Sequence, residues 1–172
     1  MEKSVLTAKR MLAVDDEPDI LDILREELDK HGVALDTATT YEEGLQLLHS
    51  YTYDLAILDI MGVRGFDLLA FASSKGVPVV MLTAHALNSE SLKRSIELGA
   101  RAYVPKDELD NITPFLEDVL TLSYRSAWKS LFDRLGHSFG VRFGPDWRKS
   151  EEEFWEKFDK DLDVSESTII ES

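Results

Sequence analysis

The sequence predicts an α/β protein: a doubly wound, five-stranded parallel sheet with helices on both faces, followed by a small helical extension. Short apolar runs alternate with amphipathic segments through about residue 122, the pattern of strands joined by crossover helices. The runs from the second onward lean on Val, Ile and Leu, as strands buried on both faces do. Four runs also end in polar residues. Asp15 and Asp16 follow Met11-Leu12-Ala13-Val14, Asp59 follows Leu55-Ala56-Ile57-Leu58, Thr83 follows Val77 to Leu82, and Lys106 follows Ala102-Tyr103-Val104-Pro105. Parallel strands bring these ends to one edge of the sheet, where open α/β folds place their chemistry.

The elements follow in order. Arg10 to Val14 reads as strand one, and a helix starts near Pro18, since proline suits a first turn. Ile20, Leu21, Ile23, Leu24 and Leu28 form its apolar face, and His31-Gly32 ends it. Val33 to Ala38 is strand two. Thr40 caps the next helix with Glu43 three residues later, the spacing of a capping box. Asp54 to Leu58 is strand three, and Gly62-Val63-Arg64-Gly65 is a tight loop into a helix over 66–73. Val77 to Leu82 is strand four, Asn88 or Ser89 opens helix four, and Ala102 to Val104 is strand five. Asp110 or Asn111 caps a last helix that tolerates Pro114 in its first turn.

The pattern breaks after Leu122. Trp128, Leu131, Phe132 and Leu135 keep helical spacing, so the last helix is expected to continue to about Arg134. Gly136, Gly140, Gly144 and Pro145 predict an irregular stretch, and Asp146 a cap for an acidic helix bearing Trp147, Phe154, Trp155 and Phe158. The chain therefore divides into a domain over 8–122, a helical extension over 123–163 and a polar tail over 164–172, expected to be disordered.

Composition narrows the function. There is no cysteine, which excludes disulfides and thiolate metal sites. A net charge of −14 argues against nucleic acid or an anionic membrane as partner. No apolar stretch approaches the roughly 18 residues that span a bilayer, and the start has no signal-peptide core. The expectation is a soluble cytoplasmic protein.

Three clustered carboxylates repel one another and need a cation, while a lysine and a hydroxyl suit a phosphoryl group. Together these residues suggest an aspartate that is phosphorylated. Each has a bland alternative. Asp15 or Asp16 alone reads equally well as a helix cap, Thr83 as a strand-end residue, Tyr103 as a half-buried strand residue, and Lys106 as a solvated cation. The site reading rests on their joint occurrence.

The motifs Val14-Asp15-Asp16-Glu17-Pro18, Leu58-Asp59-Ile60-Met61, Leu82-Thr83-Ala84, Glu97-Leu98-Gly99-Ala100 and Tyr103-Val104-Pro105-Lys106, in this order and spacing, resemble a response-regulator receiver domain of two-component signalling. The resemblance covers roughly Ala8 to Leu122 and implies a flavodoxin-like (βα)5 fold. It implies that Asp59 is the phosphoacceptor, supplied by a histidine kinase or phosphotransfer protein. It also implies Mg²⁺ held by Asp15, Asp16, Asp59 and the backbone carbonyl of Met61. Thr83, Ala84, Tyr103 and Lys106 would bind the phosphoryl group and switch a protein-interaction surface, Tyr103 by rotating toward Thr83. The Met61 and His85 side chains would flank the site and set how fast water removes the phosphate.

This chain departs from that pattern in two places. The loop from Asp59 to Gly65 is about two residues shorter than usual and lacks its proline, and Asp107 rather than proline follows Lys106. A trans Lys106-Asp107 peptide is the expectation, because a non-proline cis bond costs about 3 kcal/mol. Two other function classes fit the residues: a Mg²⁺-dependent phosphatase or phosphotransferase with an aspartate nucleophile, and a receiver-like docking module that takes no phosphate. The first needs an acid at position 61, where methionine stands. The second leaves Asp15, Asp16, Asp59, Thr83 and Lys106 without a purpose. The extension shows no helix-turn-helix pattern, and eight acids face four bases between Asp146 and Asp163, so output to DNA is not expected. Its apolar stripe is expected to pack on Phe139, Phe143 and Trp147 and a second helix, with a homodimer as the alternative and an unidentified protein as target.

Overall fold

The computed structural model describes residues 4–84, 89–149 and 152–169, with the backbone alone at residues 142 and 162–169. Five parallel strands, β1 (Arg10–Val14), β2 (Ala34–Ala38), β3 (Leu55–Asp59), β4 (Val79–Thr83) and β5 (Ala102–Pro105), lie in the order β2-β1-β3-β4-β5. Strands β3, β4 and β5 are buried at every position. The helices between them are α1 (Pro18–Asp29), α2 (Tyr41–Ser50), α3 (Gly65–Ser74), α4 (Ser89–Glu97) and α5 (Thr113–Thr121), with a 3-10 turn over Lys106–Asn111 ahead of α5. This is the flavodoxin-like doubly wound fold. The chain moves outward from β1 to β2 and then returns to place β3 on the other side of β1, so the crevice for a ligand opens between the ends of β1 and β3.

Local signals set several boundaries. Pro18 is at the start of α1. The Thr40 hydroxyl accepts the Glu43 N–H at 3.2 Å and donates to Glu43 Oε1 at 3.3 Å, so the two side chains close the start of α2. The Lys106-Asp107 peptide is trans, as expected.

Five expectations need correction. Asp110 and Asn111 lie in the 3-10 turn, and α5 starts at Thr113 with Ile112 at its N-cap. The helix does not run on to Arg134. It stops at Thr121, Leu122 is extended, and Ser123 caps a new helix, α6 (Tyr124–Phe143), by accepting the Ser126 N–H at 3.2 Å. A serine offers the backbone an alternative to continuing the helix, and the break lets α6 double back along α5. Ser130 donates to Asp118 at 2.6 Å, and the Arg134 guanidinium sits 5.9 Å from the Phe115 ring. Gly136 and Gly140 do not make an irregular stretch but lie inside α6, and only Gly144, at φ 96°, ends it. The aromatic stripe of α6 outweighs the roughly 1 kcal/mol that each helical glycine costs.

Asp146 does not cap the last helix either. Residues 145–149 form turns, and α7 spans Glu152–Ile169, so the backbone expected to be a disordered tail is helical through Ile169. No proline or glycine follows Pro145, so nothing in the sequence stops a helix once the aromatic face of its first turns is anchored.

The extension adds to the sheet's own core. Trp128, Leu131, Leu135, Phe139, Trp155 and Phe158 are buried and continuous with it. Phe132 stacks on Trp128 and meets Phe139, Trp155 and Phe158 edge-on. The stripe meets Phe139 through Phe132, and Phe139 in turn carries Phe143 and Trp147, so the expected packing within the chain is found at Phe139 directly and at the other two through it.

Candidate functional site

Strand register brings the polar strand ends together. Val14 pairs with Leu58, so Asp15 and Asp59 each begin one step later on adjacent strands. Thr83 pairs with Pro105, the last residue of β5, which puts Lys106 one step beyond that strand at the start of the 3-10 turn. Asp15, Asp59 and Thr83 are buried, at 1%, 3% and 4% exposure.

Lys106 is the hub. Its Nζ lies 3.0 Å from Asp15 Oδ2, 3.2 Å from Asp59 Oδ1 and 3.2 Å from Glu17 Oε1. Burial acts to lower the Lys106 ammonium, but the Asp15 and Asp59 carboxylates outweigh it and hold its pKa above the ordinary lysine value. Asp59 is pushed up to about 7, chiefly by burial and next by the neighbouring Asp15 charge, against the pull of Lys106. Asp15 is also raised by burial, although its Oδ1 accepts the Glu17 N–H at 2.9 Å. Asp15 Oδ2 is buried, and the cation that faces it is Lys106 Nζ at 3.0 Å.

The carboxylates of Asp15, Asp16 and Glu17 offer oxygens all within 4.8 Å of one another, and Asp16 and Glu17 face solvent. Asp59 stands outside this trio, held by Lys106. This donor set suits a hard divalent cation, which takes oxygen ligands. The charge crowded onto the buried Asp15 and Asp59 carboxyls, both raised by burial, is what a cation would relieve. Receiver domains typically bind Mg²⁺ at such an acidic cluster.

The short loop after β3 closes tightly on these groups. Gly62, at φ 85°, lies so near that a side-chain carbon there would overlap the Asp16 carboxylate. A side-chain carbon at Gly65 would overlap the Asp59 carbonyl and lie 2.8 Å from the Ile60 Cα. Arg64 between them is left-handed, at φ 53°, and is held by Asp67 at 2.9 Å and the Tyr41 ring at 4.0 Å. The Met61 side chain is 62% exposed. His85 lies outside the described residues.

On the other flank the Thr83 hydroxyl donates to the Ala84 carbonyl at 3.0 Å and accepts from the Tyr103 hydroxyl at 3.3 Å. Tyr103 is fully buried, and its hydroxyl also lies 2.8 Å from Ser91 Oγ on α4. Tyr103 thus already points inward to Thr83. Glu17 and Ser91 are additions to the sequence-predicted set. Glu17 was visible as a third acid beside the pair, whereas nothing in the sequence ties Ser91 to Tyr103.

Comparison with known proteins agrees with this geometry. Residues 11–115 match the family model described as the response regulator receiver domain. The chain belongs to that family. It is 35% identical to the transcriptional regulatory protein CpxR of Escherichia coli over 122 residues, 69% of this chain and 51% of CpxR. It is 35% identical to CusR of the same species over 101 residues, 56% of this chain and 44% of CusR. The chain thus spans about half the length of these relatives. Among solved structures, the non-phosphorylated HemR receiver domain of Leptospira biflexa is 32% identical with a TM-score of 0.59, covering 67% of this chain and 96% of that one. A CheY-like receiver domain from Methanospirillum hungatei is 30% identical with a TM-score of 0.56, covering 66% and 97%. The protein is a response regulator receiver of the two-component type, and the two curated relatives are named as transcriptional regulatory proteins. No helix among the described residues is long and apolar enough to cross a membrane.

Proposed function

We propose that Asp59 takes a phosphoryl group from a phosphohistidine on a histidine kinase or phosphotransfer protein, and that this switches a protein-interaction surface. The observation that carries the reading is the placement of Asp59, buried at the end of β3 between Asp15 and Lys106. An Asp59 carboxylate oxygen attacks phosphorus, the P–N bond breaks, and its electron pair leaves with the imidazole. A carboxylate is a weak nucleophile, so positioning and charge neutralisation supply the rate. Lys106 stays beside Asp59 and pairs with the phosphoryl oxygens. Thr83 gives its hydroxyl proton to the same group, leaving the Ala84 carbonyl.

Asp15, Asp16, Asp59 and the Met61 carbonyl would hold Mg²⁺, with Glu17 at the rim. When bound, Mg²⁺ neutralises the charge gathered on the carboxylates and the phosphoryl oxygens. Met61 offers no proton for a leaving group, which disfavours a phosphatase acting on outside substrates. The relatives named as transcriptional regulators carry that name as whole proteins. For the residues of this chain, net charge −14 favours output through protein contacts over contact with DNA. Met61 and His85 set the lifetime of the phosphorylated form, which Met61→Asn and His85→Glu are expected to change.

The test is incubation of the full chain with Mg²⁺ and acetyl phosphate, followed by intact-mass and peptide analysis. A single phosphoryl adduct on Asp59 that requires Mg²⁺ is expected. No adduct on the wild type, or an undiminished one on Asp59→Asn, refutes the reading.

A further inference from the structure

The helical extension is not a passive appendage, because α6 seats on the residue that touches Thr83. The Phe139 ring meets the Tyr103 ring edge-on at 5.9 Å between centroids, and both rings are fully buried. Phe139 is itself held by Phe132, Phe143 and Trp147 at 6.0, 5.5 and 6.1 Å. One end of α6 is pinned separately, where Trp128 Nε1 donates to the Ala100 carbonyl at 3.1 Å just ahead of β5. The two anchors are about 16 Å apart along the helix, so α6 lies against β5 as a rigid bar.

We propose that Phe139 is a positioning residue for the phosphoacceptor site: by packing on Tyr103 it keeps the tyrosine hydroxyl on Thr83, so that docking of α6 and phosphorylation of Asp59 favour each other. This rests on the proposed role of Asp59. A hydroxyl has one proton to give and two lone pairs to accept with. Thr83 now gives its proton to Ala84 and accepts from Tyr103. It can redirect the proton to a phosphoryl group while still accepting from Tyr103, so the inward tyrosine stays in place when the phosphoryl group arrives and then supports a hydroxyl held by that group as well. An outward tyrosine would give up its edge-on contact with Phe139. Docked α6 therefore disfavours the position that leaves Thr83 unsupported, and linkage makes the effect reciprocal.

All three tryptophans, Trp128, Trp147 and Trp155, lie in the extension, so tryptophan emission reports the extension while mass reports Asp59. The experiment titrates the full chain with beryllofluoride in Mg²⁺, following emission, and measures the acetyl phosphate adduct in parallel. A saturable emission change is expected in the wild type and none in Asp59→Asn. Phe139→Ala should bind beryllofluoride about fivefold or more weakly, and Phe139→Leu should lie between. Tyr103→Phe, which keeps the ring packing and loses only the hydroxyl, should lose most of the emission change, and it decides the matter if Phe139→Ala fails to fold by circular dichroism. An Asp59 adduct with no emission change overturns this inference and leaves the proposed function standing. So does unchanged affinity in both the folded Phe139→Ala protein and Tyr103→Phe. Absence of any adduct on the wild type overturns both.

Discussion

Replacing Asp59 by asparagine should stabilise the metal-free protein, although it removes an ion pair. The Asp59 carboxyl, ordinarily at 3.8, titrates at about 7 in the folded chain because burial and the Asp15 charge cost more than Lys106 returns. Between those values the folded state holds a proton that the unfolded chain has lost. Stability therefore falls as pH rises through about 7. At 1.36 kcal/mol for each pH unit of that gap, ionised Asp59 costs the folded state on the order of 4 kcal/mol above about pH 8. Asparagine carries no charge but loses the full-strength contact with Lys106 Nζ, which keeps Asp15 and Glu17. A net gain of about 1–3 kcal/mol is left, or roughly 3–10 °C in Tm for a chain of this size. Thermal unfolding without metal should show that gain near pH 8 and little of it near pH 5, where Asp59 is already neutral. Millimolar Mg²⁺ should narrow the gap by stabilising only the wild type. An Asp59→Asn protein less stable than wild type near pH 8, or a gain equal at both pH values, would refute the reasoning.

Other substitutions test neighbouring parts. Lys106→Ala removes the cation shared by three acids and should lower metal-free stability by on the order of 3 kcal/mol, with Mg²⁺ or acid recovering part of it in the same melts and Asp59 phosphorylation lost by mass. Gly65→Ala puts a side chain against the Asp59 carbonyl; it should cost about 2 kcal/mol or more and weaken Mg²⁺ binding measured by calorimetry. Gly136→Ala and Gly140→Ala meet no atom within 4 Å, so each should raise stability in denaturant melts by up to about 1 kcal/mol. A loss there would mean α6 is not helical through its glycines.

The sheet was legible because parallel strands announce themselves through apolar runs, and the polar residue ending each run lies where the register of β1, β3, β4 and β5 brings it. Asp15, Asp59, Thr83 and Lys106 needed no tertiary information to be grouped. Other features depended on competition that a sequence does not display. Leu122 and Ser123 read as a continuation of an apolar helical stripe, yet a serine cap redirects the chain. Gly136 and Gly140 read as breakers, yet the ring cluster from Trp128 to Phe143 carries the helix past them. The inward Tyr103 was hidden for the same reason: its cover, Phe139, is 36 residues further along the sequence.

The loop after Asp59 shows how a visible departure acquires its meaning from packing. Its shortness is plain in the sequence, but two missing residues by themselves predict only a tighter turn. Packing assigns the two glycines different constraints. Gly65 lets α3 start directly over the end of β3, against the Asp59 backbone, so the helix is drawn in by a contact no side chain permits. Gly62, in a backbone conformation that favours glycine, then fits under the Asp16 carboxylate. A longer loop could pass around Asp16, but this one cannot. The position of an exposed acid proposed to hold Mg²⁺ is therefore tied to the backbone beside the phosphoacceptor, and movement of either is felt by the other through direct contact. The loop is thus fixed by the closeness of Gly62 to Asp16 and of Gly65 to the Asp59 backbone.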